Sequence, residues 1–317
     1  MNWITRWKKI GFKVKQIFKK QPTGNEETDW KNCPQCKKIS YLPDLISNSY
    51  ICECSFHFDL PPKLRLDSLF DSSYELIDLS ENIDPDPLNF EVKDRYKYKD
   101  KIEKYRKITG QKTALMCASG KISNLDAVVV CFNPKFGAGR FGPAENEHFL
   151  KAASFAIKNK VDIWMVVYQS SGIDVHTGVT GLTGMTKGII AMKEIKKNNI
   201  PTFCVAARAT AGGTYASSFF MHDFIIIESK CVENLLFSGK RVTANILKGT
   251  DQIPEDFGTA PGIMKSGLAD ITLESRKNLK ETVTKLANII LKKEEIKKTN
   301  VEEAYENQED FKKTAST

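Results

Sequence analysis

Four of the eight cysteines fall in one short window, at Cys33, Cys36, Cys52 and Cys54. Each close pair can place two thiolates on one tight turn, and two such turns facing each other supply the four soft ligands that tetrahedral zinc prefers. The second pair is C-x-C, one residue tighter than the usual C-x-x-C, which strains its bite on a metal. The spacing predicts a zinc ribbon, with four unligated thiols or two disulfides as the alternatives.

Three glycine-rich turns follow predicted strands farther along the chain. Glycine permits positive φ and lets a ligand approach backbone N–H groups, and a following helix N-terminus favours a phosphate or a developing oxyanion. Each turn alone is weak evidence, because any α/β fold needs glycine at such places. The three turns are Phe136–Gly142, Ser170–Asp174 and Ala211–Thr214.

Other catalytic motifs are missing from the sequence. The segment Gly137-Ala138-Gly139 is not a dinucleotide fingerprint, because its spacing to Gly142 fits loosely and no acidic residue ends a following strand. There is no G-x-x-x-x-G-K-[ST] loop and no G-x-S-x-G elbow, and no nucleophile pattern surrounds the four histidines. If any part of the α/β region carries chemistry, it is these glycine turns.

The segments that must position these turns alternate between short β-branched runs and helix-period runs from about residue 111. Lys97–Ile108, upstream of them, predicts an exposed helix that ends at Gly110. The alternation indicates an α/β fold with strands buried on both faces. The predicted strands are Ala127–Phe132, Ile163–Tyr168, Phe203–Ala207 and Phe224–Ile227, and the predicted helices are Glu147–Asn159, Thr183–Lys197, 214–221 and 274–295.

Positive charge is concentrated at the start of the chain. The net charge is +8, and residues 1–28 carry seven Lys or Arg against two Glu. This segment predicts a basic arm that leads into the ribbon and could touch nucleic acid, an anionic membrane surface or an acidic partner. We divide the rest into the ribbon (29–58), one α/β domain (59–295) and a charged tail (296–317) that is predicted to be disordered.

Two further features bear on the compartment. The sequence has no run of about 18 apolar residues, so no segment is expected to span a membrane. The cysteines outside the ribbon lie singly in apolar stretches, which suits a reducing compartment better than a disulfide framework. We expect a cytoplasmic protein, or a protein of the plastid stroma if it is plastid-encoded.

The order of several motifs is more informative than any one of them. Together they resemble the carboxyltransferase beta subunit family of bacterial or plastid acetyl-coenzyme A carboxylase, over about residues 1–295. After the four-cysteine ribbon, the collinear motifs are Asp86-Pro87-Leu88-Asn89-Phe90, Lys97-Tyr98-Lys99-Asp100-Lys101-Ile102, Thr109-Gly110, the turn 136–142, Gly212-Gly213 and Phe237-Ser238-Gly239-Lys240-Arg241-Val242.

The resemblance implies a crotonase-type core of ββα units behind the zinc ribbon. It also implies transfer of a carboxyl group from carboxybiotin, supplied by the biotin carboxyl carrier protein, to acetyl-coenzyme A, which gives malonyl-coenzyme A for fatty acid synthesis. The implied partners are the carboxyltransferase alpha subunit, in an α2β2 assembly, and biotin carboxylase. One zinc ion per chain is the implied cofactor.

Site residues follow from the matching positions. The resemblance implies that backbone N–H groups at Gly172, Ile173, Gly212 and Gly213 stabilise the thioester enolate, whose oxygen needs such donors. Coenzyme A is expected at Gly137, Gly139 and Arg140, with Arg140 and Arg208 chosen by charge for its phosphates. For both arginines a solvated surface role is the alternative.

One motif departs from the family pattern. Where the family has Ser-Gly-Gly-Ala-Arg, this chain has Ser170-Ser171-Gly172-Ile173-Asp174. We expect the carboxylate at Asp174 to repel a nearby phosphate or enolate, and Ser171 to be tolerated only if it can hold the required backbone angles. Two other hypotheses therefore stay open. One is a catalytically weakened scaffold or regulatory paralogue, and the other is a nucleic-acid-binding protein that uses the ribbon and the basic arm.

Overall fold

The computed structural model describes residues 29–79, 82–247, 249 and 253–291. The chain divides into two compact units between Phe58 and Asp59, the position at which the sequence analysis separates the ribbon from the α/β domain. The predicted basic arm (1–28) and charged tail (296–317) lie outside the described residues. Within the described residues, no helix is both long and apolar enough to cross a membrane.

The first unit is a small β-ribbon with one short helix. Its strands β1 (Trp30–Asn32) and β2 (Ile39–Tyr41) pair antiparallel, and helix α1 (Leu42–Ser47) follows directly. An antiparallel bridge between Ile51 and His57 closes the second turn of the unit.

The second unit is a sheet with helices on both sides. Short 3₁₀ turns occur at Val175–Thr177, Ser218–Met221 and Arg276–Asn278. In chain order its elements are α2 (Pro62–Leu69), β3 (Glu75–Leu76), β4 (Glu91–Val92), β5 (Tyr96–Lys97), α3 (Tyr98–Thr109), β6 (Leu115–Ile122), β7 (Leu125–Phe132), β8 (Arg140–Phe141), α4 (Pro143–Lys158), β9 (Ile163–Ser170), β10 (Gly172–Ile173), α5 (Gly178–Lys197), β11 (Thr202–Ala211), α6 (Gly212–Tyr215), β12 (Phe224–Ile227), β13 (Leu235–Leu236), α7 (Lys240–Leu247), α8 (Ala260–Lys265), β14 (Ile271–Thr272) and α9 over residues 279–291.

The main sheet has the strand order β14-β12-β11-β9-β7-β6-β3, with β13 paired to β11. The strands from β7 to β14 along this order run parallel, and β6 is antiparallel to both of its neighbours, β7 and β3. The mixed α/β fold is therefore confirmed, and each of the four predicted strands is present. Strand β6 was not predicted, because its Cys-Ala-Ser-Gly-Lys segment has no β-branched run.

Burial on both faces of the sheet explains why its strands read as continuous apolar runs. Along β9 every residue is buried. Trp164 and Val166 join the hydrophobic core on one face, while Met165 and Val167 join the core on the other. This alternation follows from the period-2 geometry of a strand.

The predicted helices are present with three corrections. The helix predicted over 274–295 begins only at residue 279, after the 3₁₀ turn Arg276–Asn278, and residues 292–295 lie outside the described residues. Helix α3 ends at Gly110 with φ 67°, as expected, but it is not wholly exposed, because Tyr98 and Ile102 are buried against Ala114 and Phe136. The helix predicted over 214–221 is instead the single turn α6 followed by the 3₁₀ turn Ser218–Met221.

Candidate active site

Two of the three glycine turns meet at the carboxyl ends of the neighbouring parallel strands β9 and β11. Gly172 has φ 106° and Gly212 has φ 61°, conformations that L side chains rarely adopt. A Cβ added to Gly172 would lie 2.8 Å from the carbonyl oxygen of Ala211, so the two turns touch backbone to backbone. The structure therefore brings together turns that are about 40 residues apart in sequence.

The four predicted oxyanion donors lie in this contact, and two of their N–H groups already have partners. The N–H of Gly212 donates to the carbonyl of Phe237 at 3.1 Å, and that of Gly172 donates to Ser170 Oγ at 3.1 Å. Gly213 lies in the first turn of α6, where N–H groups have no intrahelical acceptor. A Cβ on Gly213 would be 2.4 Å from Ile173 Cγ1. Their role as oxyanion donors remains a prediction.

The remaining glycine turn, Phe136–Gly142, packs against the backbone of the turn that carries Gly172. Gly137, Ala138 and Gly139 have φ values of 55°, 56° and 68°. A Cβ on Gly139 would lie 1.9 Å from the carbonyl oxygen of Gln169, so glycine is required for this close approach. The turn leads into β8, which pairs parallel with β10. The prediction that Gly137 and Gly139 bind coenzyme A is not tested by this geometry.

Arg140 does not lie on a basic surface. Its residue is 3 % exposed, and its Nη2 lies 3.2 Å from Asp174 Oδ2 and 3.3 Å from Glu145 Oε2. Its Nη1 donates to Tyr98 Oη at 2.9 Å. The guanidinium is thus paired with two buried carboxylates. The structure gives no support to Arg140 as a phosphate contact, a role that was assigned to it by charge alone.

Asp174 is equally enclosed, and its expected repulsion of an anionic substrate stays a prediction. Tyr98 Oη donates to its Oδ2 at 2.6 Å, and the N–H of His176 donates to its Oδ1 at 3.1 Å. His176 Nδ1 is 2.8 Å from the same Oδ1, and the imidazole stacks on the Tyr98 ring at 4.0 Å between centroids. Arg140 therefore offsets part of the negative charge that Asp174 and Glu145 carry together.

The structure also shows which backbone angles Ser171 adopts in its turn. The residue of this turn with positive φ is Gly172, and Ser171 adopts an ordinary backbone conformation. Its N–H donates to the carbonyl of Ala138 at 2.9 Å. A second glycine at this position is not needed for the observed turn.

Burial and neighbouring charge shift two pKa values in this cluster. Desolvation would lower the pKa of Arg140, but the carboxylates of Glu145 and Asp174, together with Tyr98, raise it overall. For Tyr98, burial is the main cause of a strongly raised pKa, and its hydrogen bond to Asp174 adds to that rise against the opposing effect of Arg140. Both groups therefore keep their protons at neutral pH.

Sequence reasoning missed Tyr98, Glu145 and His176 as members of this cluster. Tyr98 was part of a family motif on a helix predicted to be exposed, and nothing local signalled its burial. Glu145 was detectable, since it follows Gly142-Pro143 at the third helical position, where an acidic side chain caps the N-terminus. Its Oε2 accepts from the N–H of Gly142 at 3.0 Å and its Oε1 from that of Ala114 at 2.9 Å.

An apolar cavity of about 670 Å³ lies near the Gly212 turn. Tyr215 of α6 and both residues of β13 line it, together with Phe237, whose carbonyl accepts the Gly212 N–H. Its size suits a mostly apolar ligand or the arm of a larger one.

The four ribbon cysteines form a separate cluster in the first unit. Their sulfur atoms all lie within 4.8 Å of one another, with Cys33 Sγ to Cys54 Sγ at 3.6 Å and Cys36 Sγ to Cys52 Sγ at 3.7 Å. Four thiolates at 2.3 Å from a tetrahedral zinc would be about 3.8 Å apart. The donor set therefore fits zinc, and the C-x-C turn reaches the cluster despite its short spacing.

The ribbon thiols differ in acidity. Burial acts to raise the pKa of Cys33, but the N–H groups of Cys36 and Gln35 stabilise its thiolate and bring the pKa down to about 7. Burial raises the pKa of Cys54 to about 12.

Comparison with known proteins agrees with this geometry. The carboxyl transferase domain family matches residues 86–316. The acetyl-coenzyme A carboxylase carboxyl transferase subunit beta of Pelagibacter ubique (strain HTCC1062) is 32% identical over 100% of both chains. The subunit of that name from Sulfurihydrogenibium sp. (strain YO3AOP1) is 34% identical over 86% of this chain and 94% of its own.

Solved structures show the same fold at low identity. A transcarboxylase 12S chain, solved with methylmalonyl-coenzyme A bound, superposes with a TM-score of 0.56 and 18% sequence identity. The match covers 72% of this chain and 41% of that chain. A chain of the Pseudomonas malonate decarboxylase MdcD-MdcE hetero-dimer superposes with a TM-score of 0.53 and 16% sequence identity. The match covers 74% of this chain and 86% of that chain.

The family match covers well over half of the chain, and the full-length relatives exceed 30% identity. The scaffold and nucleic-acid hypotheses are not favoured by these findings. The chain belongs to the carboxyl transferase family, and within it to the beta subunits of acetyl-coenzyme A carboxylase.

Proposed function

We propose that this chain accepts acetyl-coenzyme A and, with an alpha subunit, transfers to it the carboxyl group of carboxybiotin to give malonyl-coenzyme A. The observation that carries the proposal is the backbone contact between the turns at Gly172 and Gly212. Two such turns at the carboxyl ends of adjacent parallel strands are where an α/β sheet presents a ligand site.

The reaction needs donors that act on a developing charge. When the acetyl α-carbon loses its proton, negative charge moves to the thioester oxygen. The α-carbon then bonds to the carboxyl carbon, whose bond to the biotin nitrogen breaks, and that nitrogen takes a proton. Fixed N–H groups at Ile173 and Gly213, together with those of Gly172 and Gly212 once their present partners are exchanged, would stabilise the enolate oxygen.

The remaining assignments follow from the same proposal. The apolar cavity beside Phe237 would take the arm of the coenzyme, since its size and lining suit a chain of that kind. The alpha subunit, as α2β2, would supply the biotin-side turns, with the biotin carboxyl carrier protein and biotin carboxylase as further partners. We place the complex in the cytoplasm, or in the plastid stroma for a plastid-encoded chain.

Co-expression with the alpha subunit of the same source tests the function. The purified complex, supplied with biotin carboxylase, carrier protein, ATP and bicarbonate, should convert acetyl-coenzyme A to malonyl-coenzyme A. Gly172→Ala should lower turnover by about a hundredfold or more, because its Cβ meets Ala211 at 2.8 Å. Gly110→Ala is the matched control, since Gly110 also has positive φ but open space around it.

An assembled natural complex that forms no malonyl-coenzyme A would contradict the proposed function. Equal losses in the Gly172→Ala and Gly110→Ala complexes would show that the contact between the glycine turns has no special part in turnover.

We also propose one zinc ion per chain on Cys33, Cys36, Cys52 and Cys54, on the strength of the sulfur spacing. Metal analysis of the purified chain should give about one equivalent of zinc. Cys33→Ser should lose it, and Cys231→Ser, which alters a cysteine outside the cluster, should retain it. Chelation should unfold the ribbon and leave the α/β unit folded. Zinc retained by Cys33→Ser at full occupancy would refute the assignment.

A further inference from the structure

The turn that carries Gly172 is held by a very short strand pairing. Strands β8 and β10 share two residue pairs, Gly172 with Arg140 and Ile173 with Phe141. The N–H of Asp174 donates to the carbonyl of Phe141 at 3.1 Å at one end of the pairing. Two-residue strands supply little stability by themselves, so the position of this turn needs further contacts.

Because residue 172 is a glycine, the turn depends even more on contacts from other residues. Without a Cβ it populates positive and negative φ with similar ease, and its observed φ of 106° is not imposed by its own chemistry. The conformation must therefore be selected by the residues attached to the turn. Two side chains of the turn are buried and anchored. Ser170 Oγ donates to the carbonyl of Gly139 at 2.7 Å on one side of Gly172, and Asp174 lies two residues after it on the other.

The anchor of Asp174 is unusually complete. Arg140 Nη2 lies at 3.2 Å and Tyr98 Oη at 2.6 Å from Oδ2, and these contacts come from β8 and α3. Glu145 at the start of α4 contacts the same Nη2 at 3.3 Å. Arg140, Tyr98 and Glu145 are each only 1–3 % exposed. At such burial, paired charges interact strongly and cannot reorient into water.

We propose that the buried Arg140–Asp174 ion pair is the positioning device that fixes the Gly172 turn for carboxyl transfer. It sets the direction of the backbone N–H groups without touching substrate. The departure from the family motif at position 174 is thus matched by a cation on the adjacent glycine turn. This inference rests on the proposed function, and its test includes a readout that does not depend on turnover.

The test compares two isosteric neutralisations in the co-expressed complex, Asp174→Asn and, as control, Glu228→Gln. Glu228 is also a buried carboxylate bound by arginine, but its partners Arg65 and Arg276 lie on α2 and before α9 rather than on the glycine turns. Asp174→Asn should lower kcat by about thirtyfold or more while KM for acetyl-coenzyme A stays within about threefold. Glu228→Gln should lower the melting temperature but leave kcat of the folded complex within about threefold.

The second readout is hydrogen exchange of the peptide over residues 168–176. In Asp174→Asn this peptide should exchange about tenfold faster or more, and in Glu228→Gln it should be unchanged. Unchanged exchange, or faster exchange with natural kcat, in Asp174→Asn would overturn the proposal. If the natural complex makes no malonyl-coenzyme A, the proposed function fails, and the exchange result alone decides whether the pair holds the turn.

A milder pair of variants decides the matter if Asp174→Asn does not assemble. Tyr98→Phe removes only the hydroxyl that bonds Asp174 and Arg140, while Tyr168→Phe removes a buried hydroxyl that bonds Ser218 at 3.0 Å. Tyr98→Phe should lower kcat by about threefold or more and speed exchange of the 168–176 peptide, and Tyr168→Phe should do neither. Equal behaviour of the two variants would overturn the proposal.

Discussion

Two buried arginine–carboxylate networks in the second unit have opposite compositions. Beside the glycine turns, the single cation Arg140 lies between two carboxylates, Glu145 and Asp174. Elsewhere in the unit the single carboxylate Glu228 lies between two cations, at 2.5 Å from Arg65 Nη2 and 2.6 Å from Arg276 Nε. Both networks are almost fully removed from water.

The difference between the networks lies in what each one connects. Arg65, on α2, and Arg276, before α9, converge on Glu228 at the end of β12, so this network ties helices to the sheet. The Arg140 network instead joins two glycine turns and reaches the surface through His176, whose side chain is 26% exposed. Equal burial therefore does not imply an equal role, and adjacency to the glycine turns distinguishes the two.

The largest effect is expected from removal of the shared cation. Arg140→Met leaves the carboxylates of Glu145 and Asp174 buried without a counter-charge, so we expect a loss of about 3–5 kcal/mol in the free energy of unfolding and loss of turnover. Urea unfolding of the second unit, with the activity of the assembled complex, measures both. A loss under about 1 kcal/mol would show that these carboxylates are satisfied without Arg140.

A smaller effect is expected from the corresponding change in the other network. Arg65→Met leaves Glu228 paired with Arg276 and removes one of two like charges, so the loss should be about 1–2 kcal/mol. Turnover of the folded complex should be unchanged. The same urea and activity measurements apply, and a loss as large as that of Arg140→Met would remove the distinction drawn between the two networks.

Unfolding at alkaline pH tests Tyr98, which belongs to the Arg140 network and has no counterpart in the Glu228 network. Tyr98 is neutral in both states below pH 10, but above it the unfolded tyrosine loses a proton that the folded one keeps, because its pKa is raised. Stability therefore falls as pH rises, by about 1 kcal/mol between pH 10 and 11 from this group. Tyr98→Phe should show a slope shallower by that amount in urea unfolding between pH 10 and 11. Identical slopes would contradict the assigned burial.

The smallest effect is expected at Ser171. Because its backbone conformation is ordinary, Ser171→Gly should not raise turnover and should cost about 0.5–1 kcal/mol through added freedom of the unfolded chain. Steady-state kinetics and urea unfolding of the variant complex provide the check. A rise in kcat of several-fold would show that the serine limits the turn after all.

Where the chemistry is local, the sequence was sufficient. The spacing of the four cysteines and the termination of α3 at Gly110 depend on residues close together in the chain, whereas β9 and β11 run two and four residues past their predicted ends. The spacing of such nearby residues carries the information directly, because a tight turn or a helix end is decided by a few neighbouring residues. The mixed α/β fold followed from the same local periodicities.

Only the tertiary structure decided what the charged residues near the glycine turns do. Arg140 and Asp174 are each ambiguous in sequence, since an arginine beside a glycine turn can face solvent, a phosphate or a buried carboxylate. Their contact depends on the pairing of β8 with β10, and Tyr98 reaches them from 76 residues before Asp174. Such an ion pair leaves no sequence periodicity, because its energy comes from burial and distance between segments that fold together.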